Sequence, residues 1–145
     1  MSQEIRRETL RFDQVNVGDE LPELAVELTP TLIISTAIAS RDYQDVHHDR
    51  DLAQQRGSKD IFMNILSTNG FVGRFVTDWA GPEARLEKVS IRLGAPNYAY
   101  DVMTMSGRVE ELTPSPGEGR ARIAVRGVNS LGDHVSGSVT VVLPL

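Results

Sequence analysis

One long segment with helical periodicity, followed by segments that alternate, most constrains how this chain can fold. Residues 64–80 place apolar side chains at intervals of three and four, which predicts a long helix, and Gly81-Pro82 predicts its end. Four later segments alternate polar and apolar positions with turn-forming residues between them, which predicts strands at 85–94, 101–113, 119–129 and 134–143. A single long helix has only this sheet to bury against. The pattern therefore predicts an α+β fold in which an antiparallel sheet wraps around the helix.

Shorter elements are predicted before the long helix. Thr29 can cap a helix and Pro30 fits its first position, so we expect a helix from there to about Ser40. The polar stretch 41–50 has too few apolar residues for a core element and is predicted to be a loop. The remaining predictions are an opening loop over 11–22, a short strand over 23–28 and a short helical turn over 51–55.

Length and composition restrict the class of protein. The 145 residues favour one domain over 1–145, in which residues 1–15 form an extension that could be flexible. The absence of cysteine excludes disulfides, zinc–thiolate sites and a cysteine nucleophile. The net charge of −5 argues against nucleic acid as a partner. No secretory signal or membrane-spanning run is visible, so we expect a cytoplasmic protein that does not contact membranes.

The loop over residues 41–51 is rich in titratable groups and allows several interpretations. It contains two of the three histidines and four aspartates, so it is either a solvated acidic loop or a site. Asp42 and His47 are close enough in sequence to act on one water as an acid–base pair. His47, Asp49 and the distant His134 imitate the spacing of a non-haem iron triad, although such sites usually lie in jelly-roll proteins. A binding or scaffold subunit without chemistry of its own is the third possibility.

The same loop resembles the signature of a known family. Residues 41–53 read Arg-Asp-Tyr-Gln-Asp-Val-His-His-Asp-Arg-Asp-Leu-Ala. They resemble the pattern Gly-Asp-x-Asn-Pro-(Leu/Ile)-His-x-Asp-x-x-x-Ala of MaoC-like (R)-specific enoyl-CoA hydratases, which have the hotdog fold. The predicted order of elements is also that of a hotdog.

Several positions depart from the family pattern. Arg41, Gln44 and Asp45 replace its Gly, Asn and Pro, and its Ile-x-His-Gly appears here as Ile-Phe-Met-Asn over residues 61–64. These departures are similar to those of a narrower group, the small subunits of actinobacterial hydratases that act on the steroid (cholesterol) side chain as a CoA thioester.

The resemblance implies a reaction and a site. Water would add across the C2=C3 double bond of an α,β-unsaturated acyl-CoA. His47 is implied as the base, and Asp42 as the group that orients the water and helps to deliver a proton to C2. The backbone N–H of Asn64 is implied as the donor to the thioester oxygen. No metal and no cofactor are implied, because CoA is part of the substrate.

The resemblance also implies partners and leaves two alternatives. A larger MaoC-like subunit, a second copy of the chain, or both are expected partners, because hotdog domains bind CoA between two protomers. A hotdog thioesterase is the first alternative, but it needs a carboxylate on the central helix, where the only acid is Asp78. A non-catalytic scaffold subunit is the second. We expect His48 at the surface or in an interface, Trp79 in the core, and a structural role for His134 in a turn.

Overall fold

One antiparallel sheet curls around a central helix in the computed structural model, which describes residues 8–145. The strands are ordered β1-β3-β4-β5-β2, and every neighbouring pair is antiparallel. The strands are β1 Glu20–Glu27, β2 Arg85–Leu93, β3 Val102–Ser115, β4 Glu118–Asn129 and β5 Gly132–Pro144. The helices are α1 Pro30–Ala39, α2 Arg50–Gln55 and the central α3 Ile65–Ala80, with 3-10 turns at Phe12–Gln14 and Asp45–His47. This is the α+β hotdog architecture that the sequence predicts. No helix within the described range is long and apolar enough to cross a membrane.

The helix boundaries follow the predicted caps. The Thr29 hydroxyl accepts a hydrogen bond from the Leu32 backbone N–H at 3.0 Å, and Pro30 occupies the first position of α1. Asn64 caps α3 by accepting from the Ser67 backbone N–H at 2.9 Å. At the other end, Gly81 has a φ of +104°, which favours glycine. The predicted helices over 30–40 and 64–80 are therefore confirmed.

The opening loop predicted over residues 11–22 is wrong at its end, because β1 already begins at Glu20. Leu21 and Leu24 are both buried, and they pair with β3 across an irregularity in the register. A bulge of this kind places two core-facing residues three positions apart instead of two. The regular alternation of polar and apolar residues is therefore interrupted at the start of β1, and the sequence does not indicate a strand there.

The core lies between the inward face of α3 and the concave face of the sheet. Val72, Phe75 and Val76 are fully buried on that face. Gly107 of β3 lets the helix approach closely, because a Cβ there would lie 2.9 Å from Cε1 of Phe75. Trp79 is also buried, as expected for a core residue.

The segment before the first 3-10 turn packs against the end of α3. The Leu10 backbone N–H donates to the Ala80 carbonyl at 2.8 Å, and the Thr9 hydroxyl accepts from the Glu83 backbone N–H at 2.8 Å. A Cβ at Gly81 would lie only 2.4 Å from the Cα of Thr9. This part of the expected extension is thus packed on the domain, whereas residues 1–7 lie outside the described residues.

His134 is a buried structural residue in β5, not in a turn as predicted. Its Nδ1 lies 2.6 Å from the Ala95 carbonyl oxygen, which can only accept, so Nδ1 carries the proton. Nε2 then accepts from the Thr68 hydroxyl at 2.8 Å. This contact joins β5 to the first turns of α3.

Acidification is expected to destabilise the fold through His134. Burial lowers the pKa of this imidazole below its ordinary value of 6.5, so the unfolded chain takes up the proton at a higher pH than the folded chain. The free energy of unfolding should therefore fall as the pH drops below about 6.5, by at most ~1.4 kcal/mol per pH unit for one proton. Urea unfolding of wild type and His134→Gln between pH 5 and 8 checks this, since glutamine keeps one donor and one acceptor without titrating. An identical pH slope in both proteins would contradict the assignment, and the exposed His48→Gln serves as the control.

Candidate active site

The end of α1 positions Asp42. Ser40 ends the helix, and Arg41 then adopts a left-handed φ of +56°, which costs an ordinary side chain about 1–2 kcal/mol. The Asp42 backbone N–H returns to the Ala37 carbonyl at 3.0 Å, so the chain turns sharply and holds Asp42 against the helix end. Arg41 stands at the signature position where the resembling family has glycine, the residue that adopts this conformation most easily.

The 3-10 turn Asp45–His47 positions the histidine. The Gln44 backbone N–H donates to Oδ1 of Asp42 at 3.2 Å, which ties the turn to the carboxylate. Two of the three other aspartates in the loop over 41–51 have structural partners. Asp49 caps α2 by accepting from the Leu52 backbone N–H at 3.0 Å, and Asp45 pairs with the Arg56 guanidinium at 2.8 Å.

His47 and Asp42 face each other with a defined protonation pattern. Nδ1 of His47 lies 2.7 Å from the Phe62 carbonyl oxygen, so it must be the donor and the neutral ring has its lone pair on Nε2. That Nε2 lies 3.4 Å from Oδ2 of Asp42, slightly beyond direct hydrogen-bond length. The two side chains are 10% and 23% exposed, so the pair lies in a recess that solvent can reach. The edge of the Phe62 ring packs against the imidazole and fixes its plane.

Asn64 contributes more than the backbone group that the resemblance implies. Its side-chain Nδ2 donates to Oδ2 of Asp42 at 3.1 Å and to the Ser40 hydroxyl at 2.9 Å. Its own backbone N–H has no acceptor within residues 8–145 and lies at the N-terminus of α3, where the helix dipole is positive. The sequence contained one signal for this side-chain contact, which is an asparagine at the position where the family has glycine. It did not indicate which way the asparagine side chain points.

These contacts change the acidity of Asp42. The hydrogen bond from the Asn64 amide is the largest cause that lowers the pKa of the carboxyl group, partial burial opposes it, and the Gln44 N–H and His47 lower it further. The pKa of Asp42 therefore lies below its ordinary value, and the group is a carboxylate at neutral pH.

Other candidate residues are not brought into the site. No three histidine or acidic side chains converge as a metal-binding group in the described part of the chain, so His47, Asp49 and His134 do not form the iron-type triad. Asp78 of α3 pairs with Arg74 one turn away, near the end of the helix opposite Asn64. His48 is exposed, as expected.

Comparisons with known proteins identify relatives of this chain. No protein-family model matches the chain. The chain is 54% identical over 123 residues to the 3-oxo-4,17-pregnadiene-20-carboxyl-CoA hydratase beta subunit of Mycobacterium tuberculosis, in a match that covers 85% of this chain and 92% of the relative. A chain in the crystal structure of the ChsH1–ChsH2 complex from the same organism is 52% identical, with a TM-score of 0.82 over 88% of this chain and 98% of that chain.

A more distant structure shares the fold. The unliganded (R)-hydratase PhaJ1 from Pseudomonas aeruginosa is 22% identical, with a TM-score of 0.81 over 94% of this chain and 86% of that chain. At this identity the likeness concerns the fold alone.

Proposed function

Because this chain belongs to the MaoC-like enoyl-CoA hydratase family, we propose that it is the catalytic subunit of a hydratase that adds water to a steroid side-chain enoyl-CoA. The enzyme class follows from the family. The Asp42–His47 pair as the water-activating group, the steroid substrate and the larger partner are the specific parts of the proposal.

The observation that carries the proposal is the 3.4 Å gap between Nε2 of His47 and Oδ2 of Asp42. Both atoms are acceptors when the imidazole is neutral, so they do not bond to each other directly. A water molecule can donate one hydrogen to each of them, which leaves its oxygen lone pairs directed away from the pair. This is the orientation that a water needs to attack C3 of an enoyl thioester.

The proposed reaction uses the two side chains as proton acceptor and donor. As the water oxygen bonds to C3, His47 takes one of its protons, and the electrons of the C2=C3 bond move toward the thioester carbonyl. The pair then returns a proton to C2, with Asp42 orienting the water and helping in this delivery. The sum is addition of H and OH across the double bond, so no metal or cofactor enters the proposal.

The developing charge on the thioester oxygen requires a donor. The backbone N–H of Asn64 is proposed for this role, because it has no acceptor within residues 8–145 and lies at the positive end of α3. A backbone donor does not depend on the side chain, so the replacement of glycine by asparagine preserves it.

The substrate and partner are proposed from the relatives. The curated relative is a beta subunit that acts on a pregnadiene-carboxyl-CoA, and the solved relative is part of a complex. Large apolar side chains that neighbour Asp42 and Asn64 in the sequence are also exposed in the single chain, since Tyr43 is 69% exposed and Ile65 and Leu66 have more than half of their surface accessible. Apolar side chains around a site suit an apolar acyl group covered by a second subunit.

Assaying the chain alone and with its larger partner tests the proposal. We expect loss of the enoyl-thioester absorbance of a steroid enoyl-CoA only when both subunits are present, and slower turnover of crotonyl-CoA. Release of free CoA without hydration would favour a thioesterase instead. Undiminished activity of a complex that contains Asp42→Asn would favour the scaffold role.

A further inference from the structure

We infer that the side chain of Asn64 is the positioning group that holds the Asp42 carboxylate toward His47, in addition to the role of the Asn64 backbone. The inference rests on the proposed function for its catalytic meaning. Its structural part concerns only the contacts between Asn64, Asp42 and their neighbours.

The Asn64 amide is fixed in one orientation. Its Oδ1 accepts from the Ser67 backbone N–H at 2.9 Å and also from the Ser67 hydroxyl. A backbone N–H can only donate, so the oxygen must face Ser67 and the nitrogen must face the other way. The two Nδ2 hydrogens then go to the Ser40 hydroxyl and to Oδ2 of Asp42. All four hydrogen-bonding positions of the amide are used, and the residue is only 2% exposed.

This fixed amide removes the rotational freedom of Asp42. One carboxylate oxygen accepts from the Gln44 backbone N–H, and the other accepts from Asn64 while it faces Nε2 of His47. With the two oxygens held from opposite sides, the carboxylate cannot turn about its last bond. The oxygen that would hold the water is thus set by the start of α3.

Few charged groups within residues 8–145 lie near Asp42, so the hydrogen bond from the neutral Asn64 amide has the largest effect on the pKa of its carboxyl group. Among the titratable side chains of the described residues, His47 is the one in contact with Asp42. The end of α1 and the start of α3 contribute the neutral side chains Ser40 and Asn64. Losing the amide donor would therefore raise the pKa of Asp42 and loosen its orientation together. A glycine at position 64, as in the family signature, offers neither effect.

Two substitutions separate this role from helix capping. Asn64→Asp and Asn64→Ser each keep an oxygen that can cap α3, but neither has an N–H to donate to Asp42. Aspartate additionally places a second negative charge beside Asp42. Thr29→Ala is the matched control, because it removes the cap of α1 without touching the Asp42–Asn64 contact.

The measurement is titration of the Asp42 carboxyl by carbon-13 NMR in the full-length chain, together with kcat and KM of the complex against pH. We expect a higher Asp42 pKa in both Asn64 variants, with the larger rise in Asn64→Asp, and an unchanged pKa in Thr29→Ala. We also expect kcat to fall about 10²-fold with KM within twofold, and the acidic limb of the kcat profile to move to higher pH.

The outcomes are distinguishable. An unchanged Asp42 pKa in Asn64→Ser would overturn the inference, whatever happens to activity, because a rise in Asn64→Asp alone is explained by its added charge. A raised Asp42 pKa in both variants, with no change in Thr29→Ala, would support it even if the wild-type complex failed to hydrate any enoyl-CoA, a failure that would count against the proposed function alone.

Discussion

Replacing His47 with alanine is expected to lower kcat for hydration about 10³-fold, the usual contribution of a general acid–base group. Nε2 of His47 is one of two acceptors that can hold the attacking water, and its Nδ1 is already bound to the Phe62 carbonyl. The alanine variant loses the proposed base while Asp42 keeps its bonds to Asn64 and Gln44. Loss of the enoyl-thioester absorbance measures the rate, and circular dichroism and gel filtration check that the fold and assembly persist.

The controls for this prediction lie in the same loop. Asp42→Asn should produce a loss of similar size, because an amide would present a donor or a neutral acceptor in place of the carboxylate. His48→Ala should leave kcat unchanged, since this neighbouring imidazole is exposed. Near-normal activity in His47→Ala or in Asp42→Asn would show that the water is activated elsewhere.

Replacing Phe75 with alanine is expected to reduce the free energy of unfolding by about 3–5 kcal/mol. The ring is fully buried and lies against Gly107 of β3, where a Cβ would be 2.9 Å from its Cε1 atom. Its removal leaves a cavity that the backbone of β3 cannot fill without breaking its pairing with β4. Such a loss is a large fraction of the ~5–15 kcal/mol by which a typical domain is stable. Urea denaturation of the two proteins measures the difference.

Phe71→Ala provides the comparison for that result. Phe71 lies on the same helix but is only partly buried, beside Thr36 and Ala39 of α1. Its truncation should cost clearly less than that of Phe75. Equal losses for the two variants would mean that the contact between α3 and β3 does not dominate the core.

The elements that sequence periodicity defines well are those with one clear apolar face. The predicted helix over 64–80 and the four later strands match the structure closely, because their apolar residues repeat at the period of the element. In α3, β4 and β5 that repeat forms a buried face, whereas in β2 its residues Val89 and Ile91 are only partly buried. The start of β1 was missed because a bulge interrupts that repeat between Leu21 and Leu24.

Two glycines lie inside α3, and only one of them approaches the sheet. A Cβ at Gly73 would lie 3.3 Å from Cδ1 of Leu86 in β2, whereas a Cβ at Gly70 would meet nothing within 4 Å. Composition alone cannot distinguish these two surroundings.

The sequence predicted which residues form the candidate site, but not how their side chains are oriented. The spacing of Asp42 and His47, with the family resemblance, was enough to nominate the pair. The orientation of the imidazole depends on the Phe62 carbonyl, fifteen residues further along the chain. The orientation of the carboxylate depends on the Asn64 amide, twenty-two residues away. Contacts of this kind arise from the tertiary fold, and no local pattern encodes them.

The contact between residues 9–10 and the end of α3 has a practical consequence for anyone who prepares this protein. A shortened chain that begins after residue 15 would lack Leu10, whose backbone N–H donates to the Ala80 carbonyl. It would also lack Thr9, which packs against Gly81 in the turn after α3. Asn64 caps the other end of the same helix, so a loosening at the C-terminal end of α3 would be transmitted toward the proposed site. Thr9 and Leu10 thus hold the end of the helix in place, and a purification tag is better placed before them than in their stead.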